Sequence, residues 1–136
     1  MFDVSKTVLI VEDHPLVAKF YRMALERAGG FTCVITEDAN EILAAVESGN
    51  VSLVLLDVSL LGTEFEGRPI DGIELAKILK ERAPGRLPIL LATAHAMAGD
   101  RDRAMEAGCD DYDTKPVEFQ RLLDKITALV GPVPLP

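Results

Sequence analysis

The chain has 136 residues, 22 acidic and 14 basic side chains for a net charge of −8, and a composition that is 49% hydrophobic and 26% charged. That is one domain with apolar material enough for its own core, and it excludes a disordered acidic segment. The acidic balance argues against direct contact with nucleic acid, and no apolar run nears the roughly 18 residues of a membrane span.

The run VLIV at 8–11 predicts a first strand, and Glu12 and Asp13 follow it directly. A helical period over 15–28 places Val17, Phe20, Ala24 and Ala28 on one face. Pro15 suits its first turn, where a missing amide hydrogen costs nothing, and Gly29 suits a left-handed C-terminal position. FTCVIT at 31–36 is a weaker strand, and Asp38 with Glu41 forms the capping box of a helix over 39–48. VSLVLL at 51–56 predicts a third strand ending at Asp57. Asp71 with Glu74 then caps a helix over 72–82. PILLA at 88–92 is a strand followed by Thr93, and a helix over about 98–107 leads to the weak strand DDYDT at 110–114. Lys115 follows, with Pro116 in the first turn of a last helix over 117–130, and the chain closes on the Pro-rich GPVPLP. Gly49, Gly108 and Gly131 suit helix C-termini as Gly29 does. Short continuous apolar strands alternating with helices are what a parallel sheet covered on both faces requires, so the pattern predicts a doubly wound five-stranded α/β domain. Cys33 and Cys109 stand far apart without a nearby His pair, which suggests two reduced thiols and neither a disulfide framework nor a zinc site.

Ligands of an open parallel sheet bind beyond the carboxyl ends of its strands. The residues there are Glu12, Asp13, Asp57, Thr93 and Lys115: three carboxylates, a hydroxyl and an ammonium. Each alone has a bland reading as a cap or a solvated loop residue. Together they are the groups that one phosphoryl site needs.

VLIVEDHP at 8–15, LVLLDVSL at 53–60, DGIEL at 71–75, LLATAHA at 90–96 and AGCDDYDTKP at 107–116 resemble, in this order and spacing, the receiver domains of two-component response regulators. The resemblance runs from about Lys6 to Val130 and implies the flavodoxin-like receiver fold with strand order 2-1-3-4-5. It divides the chain into a receiver over 1–130, with an extended connection at 58–70 after the third strand, and a tail over 131–136. It implies that Glu12, Asp13, Asp57 and the backbone carbonyl of Ser59 hold Mg²⁺, an ion that suits an all-oxygen site. Asp57 becomes the phosphoacceptor, Thr93 and Lys115 meet the phosphoryl group, and Thr93 and Tyr112 form the switch. His95 is placed to modulate dephosphorylation, with an exposed loop histidine as the alternative, and His14 reads as a helix-start residue.

The implied partners are a histidine kinase or histidine phosphotransfer protein, which would dock on the first helix near Leu16, Lys19, Arg22, Met23 and Arg27, and a downstream effector or output domain. The effector would read the surface of the fourth helix, fifth strand and fifth helix. The module would be cytoplasmic, a monomer or a phosphorylation-dependent dimer, and no enzyme beyond its own Mg²⁺-dependent phosphorylation and dephosphorylation. Two rivals remain. A phosphohydrolase of the haloacid dehalogenase type would carry an acid-base Asp two residues after the nucleophile, where this chain has Ser59. A pseudo-receiver would need its site closed, and the 14-residue step from Asp57 to Asp71 is long enough to raise that question: it looks like an insertion of about seven residues. Its Gly62, Glu64, Glu66, Gly67, Arg68 and Pro69 read as loop chemistry, with Phe65 as a clasp to the body in preference to the alternative, a partner contact.

Overall fold

The computed structural model describes residues 6–60, 62–94 and 99–131. In chain order these form β1 (Thr7–Val11), α1 (Pro15–Gly29), β2 (Thr32–Ile35), α2 (Ala39–Glu47), β3 (Leu53–Asp57), β4 (Glu64–Phe65), β5 (Arg68–Pro69), α3 (Gly72–Arg82), β6 (Ile89–Thr93), α4 (Asp100–Glu106), β7 (Asp111–Thr114) and α5 (Phe119–Val130). Five strands make one parallel sheet in the order β2-β1-β3-β6-β7. With the small β4–β5 pair set aside, this is the expected 2-1-3-4-5.

Alternation along the central strands divides the core into two layers. Val8, Ile10, Leu53, Leu55, Leu90 and Ala92 pack under α1 and α5 with Tyr21, Leu25, Leu122 and Ile126. Leu9, Val11, Val54, Leu56, Ile89 and Leu91 pack under α2 and α3 with Ile42, Val46, Leu75 and Leu79. Because both faces are covered, the residues inside these strands are apolar, which is why they read as unbroken hydrophobic runs with polar residues only at their ends.

Three local expectations change. Helix α1 buries Ala18, Tyr21 and Leu25, one step around from the expected face, and leaves Phe20 46% exposed. The larger pair Tyr21 and Leu25 fills the layer, while Leu16, Phe20 and Met23 form an exposed apolar stripe. Its left-handed cap is Gly30 rather than Gly29. Helix α5 starts at Phe119, because the Glu118 carboxylate accepts the amide hydrogens of Gln120 and Arg121. Pro116 therefore lies ahead of that helix and outside its first turn.

The insertion is a structured hairpin. Glu66 and Gly67 both have positive φ, 52° and 80°, as a two-residue turn that matches strand twist requires. Phe65 packs on the layer that holds Leu60 and Ile70, so it acts as the clasp. Arg68 pairs with Glu74 of α3 at 2.9 Å. The hairpin folds toward α2 and leaves open a cleft of about 370 Å³ bordered by Glu12, Asp13, Thr36 and Glu37.

Candidate functional site

The site follows from strand register. Val11 pairs with Leu56, so one residue further Glu12 leaves β1 beside Asp57, the last residue of β3. Asp57 pairs with Ala92, and Ala92 with Asp113. The same alternation that sends Ile10 and Leu55 toward α1 and α5 therefore sends Glu12, Asp57 and Asp113 to that side at the carboxyl edge.

Glu12 and Asp57 are 5% and 6% exposed. One carboxylate oxygen from each of Glu12, Asp13 and Asp57 lies within 4.8 Å of the others. Lys115 reaches back from the end of β7, its Nζ 2.7 Å from Glu12 Oε1 and 3.4 Å from Asp57 Oδ1. The second Glu12 oxygen, Oε2, accepts the His14 amide hydrogen at 3.2 Å. Burial first, and then the charge of Asp57, push the Glu12 carboxyl up to about 7 against the opposing bond from Lys115. Burial pulls the Lys115 ammonium down, but its bond to Glu12 and the charge of Asp57 outweigh this and hold it above its ordinary value. With all three carboxylates ionised and the ammonium protonated, two negative charges are left to be matched.

A small divalent cation fits that balance. Three carboxylates gathered within 4.8 Å of one another are hard oxygen donors, which suit Mg²⁺ better than zinc, an ion that prefers imidazole or thiolate.

Thr93 ends β6 at 4% exposure, and its carbonyl accepts the Lys115 amide hydrogen at 2.7 Å, which stitches the two strand exits together. Tyr112 points to the opposite side of the sheet and packs half-buried on the α2–α3 layer. Ser59 is exposed two residues beyond Asp57. His95 lies outside the described residues.

Two contributors were missed in the sequence. Asp113 is 2% exposed, and its Oδ1 accepts from Arg121 at 2.8 Å and pairs with Lys125 at 3.5 Å. Lys125 also donates to the Tyr112 carbonyl at 2.5 Å and Arg121 to that of Thr114 at 3.1 Å, so two α5 cations clamp β7. The signal was there: Asp113 shares the phase of Lys115, and its two cations are four residues apart on the next helix. The other is Gly72. A Cβ there would sit 2.0 Å from the Asp57 carbonyl oxygen, so α3 begins against the backbone of Asp57.

The family of response regulator receiver domains matches residues 8–127. The polar-differentiation response regulator DivK of Brucella abortus is 32% identical over 129 residues, 94% of this chain and 98% of that protein. Among solved structures, a CheY-like response regulator receiver domain protein from Methanospirillum hungatei is 29% identical with a TM-score of 0.77, covering 91% of this chain and 92% of that one. The receiver domain of a sensor histidine kinase from Pseudomonas aeruginosa, solved with a magnesium ion coordinated in its active site cleft, is 26% identical with a TM-score of 0.77, covering 93% and 98%.

Proposed function

The chain belongs to the response regulator receiver family, and from that premise we propose that it accepts a phosphoryl group on Asp57 from a histidine kinase or histidine phosphotransfer protein and signals through a changed surface. The observation that carries this reading is the buried Asp57 carboxylate at the end of β3, with Lys115 at 3.4 Å and the oxygens of Glu12 and Asp13 within 4.8 Å. Glu12, Asp13, Asp57 and the carbonyl of Ser59 are the groups that would hold Mg²⁺. When bound, that ion supplies charge neutralisation for the carboxylates and the incoming phosphoryl oxygens. An Asp57 oxygen attacks phosphorus in line, the bond from phosphorus to the donor nitrogen breaks, and the donor imidazole leaves with that electron pair. Lys115 is held protonated and exchanges its Glu12 partner for a phosphoryl oxygen. The Thr93 hydroxyl donates to another.

Docking of the donor has support of its own. Leu16 is 73% and Met23 43% exposed, and Leu16, Phe20, Pro116 and Val117 line a groove of about 440 Å³ that reaches Lys115. Exposed Lys19 flanks this stripe. Arg22 serves the fold as well, since it donates to the Cys33 carbonyl on edge strand β2 at 3.1 Å. Among the described residues no helix is long and apolar enough to cross a membrane, and we read the module as cytoplasmic. It turns over nothing beyond its own phosphoryl group.

The test is incubation with Mg²⁺ and a small acyl phosphate, followed by intact mass. Wild type gains one phosphoryl group, about 80 Da, and Asp57→Asn gains none. Equal labelling of the variant refutes the assignment.

The output follows from the same groups. The Thr93 bond to the phosphoryl group is worth roughly 1.5–3 kcal/mol, and Lys115 adds less because it gives up its bond to Glu12, so together they shift a two-state equilibrium without driving it to completion. The responding surface is that of α4, β7 and α5. Addition of beryllofluoride, a phosphoryl mimic, is expected to change hydrogen exchange across 93–118 in wild type and much less in Thr93→Ala. A response confined to 57–71 would move the output to the hairpin.

A further inference from the structure

In the sheet order β2-β1-β3, the chain leaving β1 with Glu12 and Asp13 runs between the chains leaving β2 and β3. Those two flanking segments are tied to each other. Thr63, in the segment after β3, is 2% exposed and donates its hydroxyl to the carbonyl of Glu37, in the segment after β2, at 3.0 Å across 26 residues. The Thr63 carbonyl accepts from the Ile70 amide at 3.1 Å, so the residue that makes the tie also closes the base of the hairpin.

Both sides of the tie have fixed anchors. On one side the Val58 amide donates to Ala92 at 3.0 Å, and the Val58 carbonyl accepts from Gly72 at 2.8 Å. Leu60 is buried at 7%, which leaves exposed Ser59 bridging two anchored residues. On the other side the Thr36 amide donates to the Ile10 carbonyl at 3.1 Å, immediately before Glu37. Glu37 borders the same cleft as Glu12 and Asp13.

We propose that Thr63 is a positioning residue for the phosphoacceptor site: its bond to Glu37 straps the segments on either side of the Glu12–Asp13 loop and thereby sets the affinity for Mg²⁺. The strap acts because a cation requires oxygens from two strand exits, β1 and β3, to stay at a fixed separation, and a hydrogen bond between the flanking segments limits how far those exits drift apart. Thr63 touches neither the ion nor the phosphoryl group. The inference rests on the reading of Asp57, Glu12 and Asp13 as a Mg²⁺-dependent phosphoacceptor site.

Thr63→Val keeps the shape of the buried side chain and removes the donor, and Thr63→Ser keeps the donor. Titration of each with Mg²⁺ alone, by calorimetry, is expected to weaken binding roughly three- to tenfold for Thr63→Val, the scale of one lost hydrogen bond. Thr63→Ser stays within about twofold of wild type on the same scale. In metal-free protein, hydrogen exchange at 58–60 and 36–38 rises in Thr63→Val while protection of β1, β3 and β6 holds. Phe65→Ala, which loosens the hairpin and leaves the tie, binds Mg²⁺ as wild type does. If Thr63→Val does not fold, Thr63→Ala is read in its place by the same titration and exchange. Wild-type Mg²⁺ affinity in Thr63→Val, failure of Thr63→Ser to restore it, or equal weakening in Phe65→Ala overturns the proposal. The underlying reading fails separately, if wild type takes up no phosphoryl group at Asp57 while Thr63→Val still weakens Mg²⁺ binding.

Discussion

Replacing Gly72 with alanine is expected to cost at least about 3 kcal/mol, the upper part of the range for overpacking a buried position. The new Cβ would stand 2.0 Å from the Asp57 carbonyl oxygen and 2.8 Å from the Val58 Cα, and both are backbone atoms that no rotamer change can move. Either the start of α3 lifts away, breaking the bond from the Gly72 amide to Val58 and disturbing the Asp71 cap on Glu74, or the end of β3 shifts and takes the Asp57 carboxylate with it. Both routes reach the site. Denaturant melts should therefore show the loss of stability, and labelling by acyl phosphate should be slower under conditions where the variant is folded. A variant within 1 kcal/mol of wild type that labelled at the wild-type rate would mean that the contact relaxes easily, contrary to the close packing of buried backbone.

Stripping Asp113 of its cations is expected to have a comparable effect. The carboxylate is 2% exposed, while Arg121 and Lys125 are 40% and 28% exposed at their side chains, so the cations can return to water and the anion cannot. Removing the partners of a buried charge costs about 3–5 kcal/mol, and the partial exposure here places Arg121→Met with Lys125→Met near the lower end. Asp113→Leu removes the buried charge itself and leaves the bonds from Arg121 and Lys125 to the carbonyls of Thr114 and Tyr112, so it should cost much less. Urea melts of the two variants compare the two effects. Equal destabilisation would show that the ion pairs themselves stabilise β7 and that stranding the buried anion adds nothing to the cost.

Much of the architecture was legible because the strands are buried on both faces. Such strands appear as unbroken apolar runs, and a polar residue at the end of each run marks the carboxyl edge where ligands bind. Glu12, Asp57 and Thr93 could be found this way because they stand next to those runs in sequence, and Lys115 because it follows the weaker strand DDYDT. Long-range packing was less accessible. Helix α1 has apolar residues on more than one face, and the choice of Tyr21 and Leu25 over Phe20 depends on the shape of the layer beneath. The hairpin escaped because its strands are two residues long and its turn places Glu66, a residue with no preference for positive φ, in the left-handed region. Thr63 and Gly72 owe their roles to atoms 26 and 15 residues away, Glu37 and Asp57, and no local pattern encodes such a contact.

These placements give the pieces of the site distinct roles. Register sets Glu12 beside Asp57, the strap at Thr63 holds the flanking segments, and the Asp113 clamp fixes β7 under Lys115. The exposed stripe of α1 leads to the same edge, so a docked phosphodonor would meet Lys115 and Asp57 together.

The central claim is that Asp57 forms an acyl phosphate, and chemical trapping reads it at the level of a single residue. Borohydride reduces an acyl phosphate to an alcohol and leaves free carboxylates unchanged, so treated wild-type protein, after labelling in Mg²⁺, should yield peptides with homoserine at position 57. Glu12, Asp13 and Asp113 should remain unmodified in the same digest. Reduction at any of those three positions, or none at position 57 in protein that had gained a phosphoryl mass, would contradict the account.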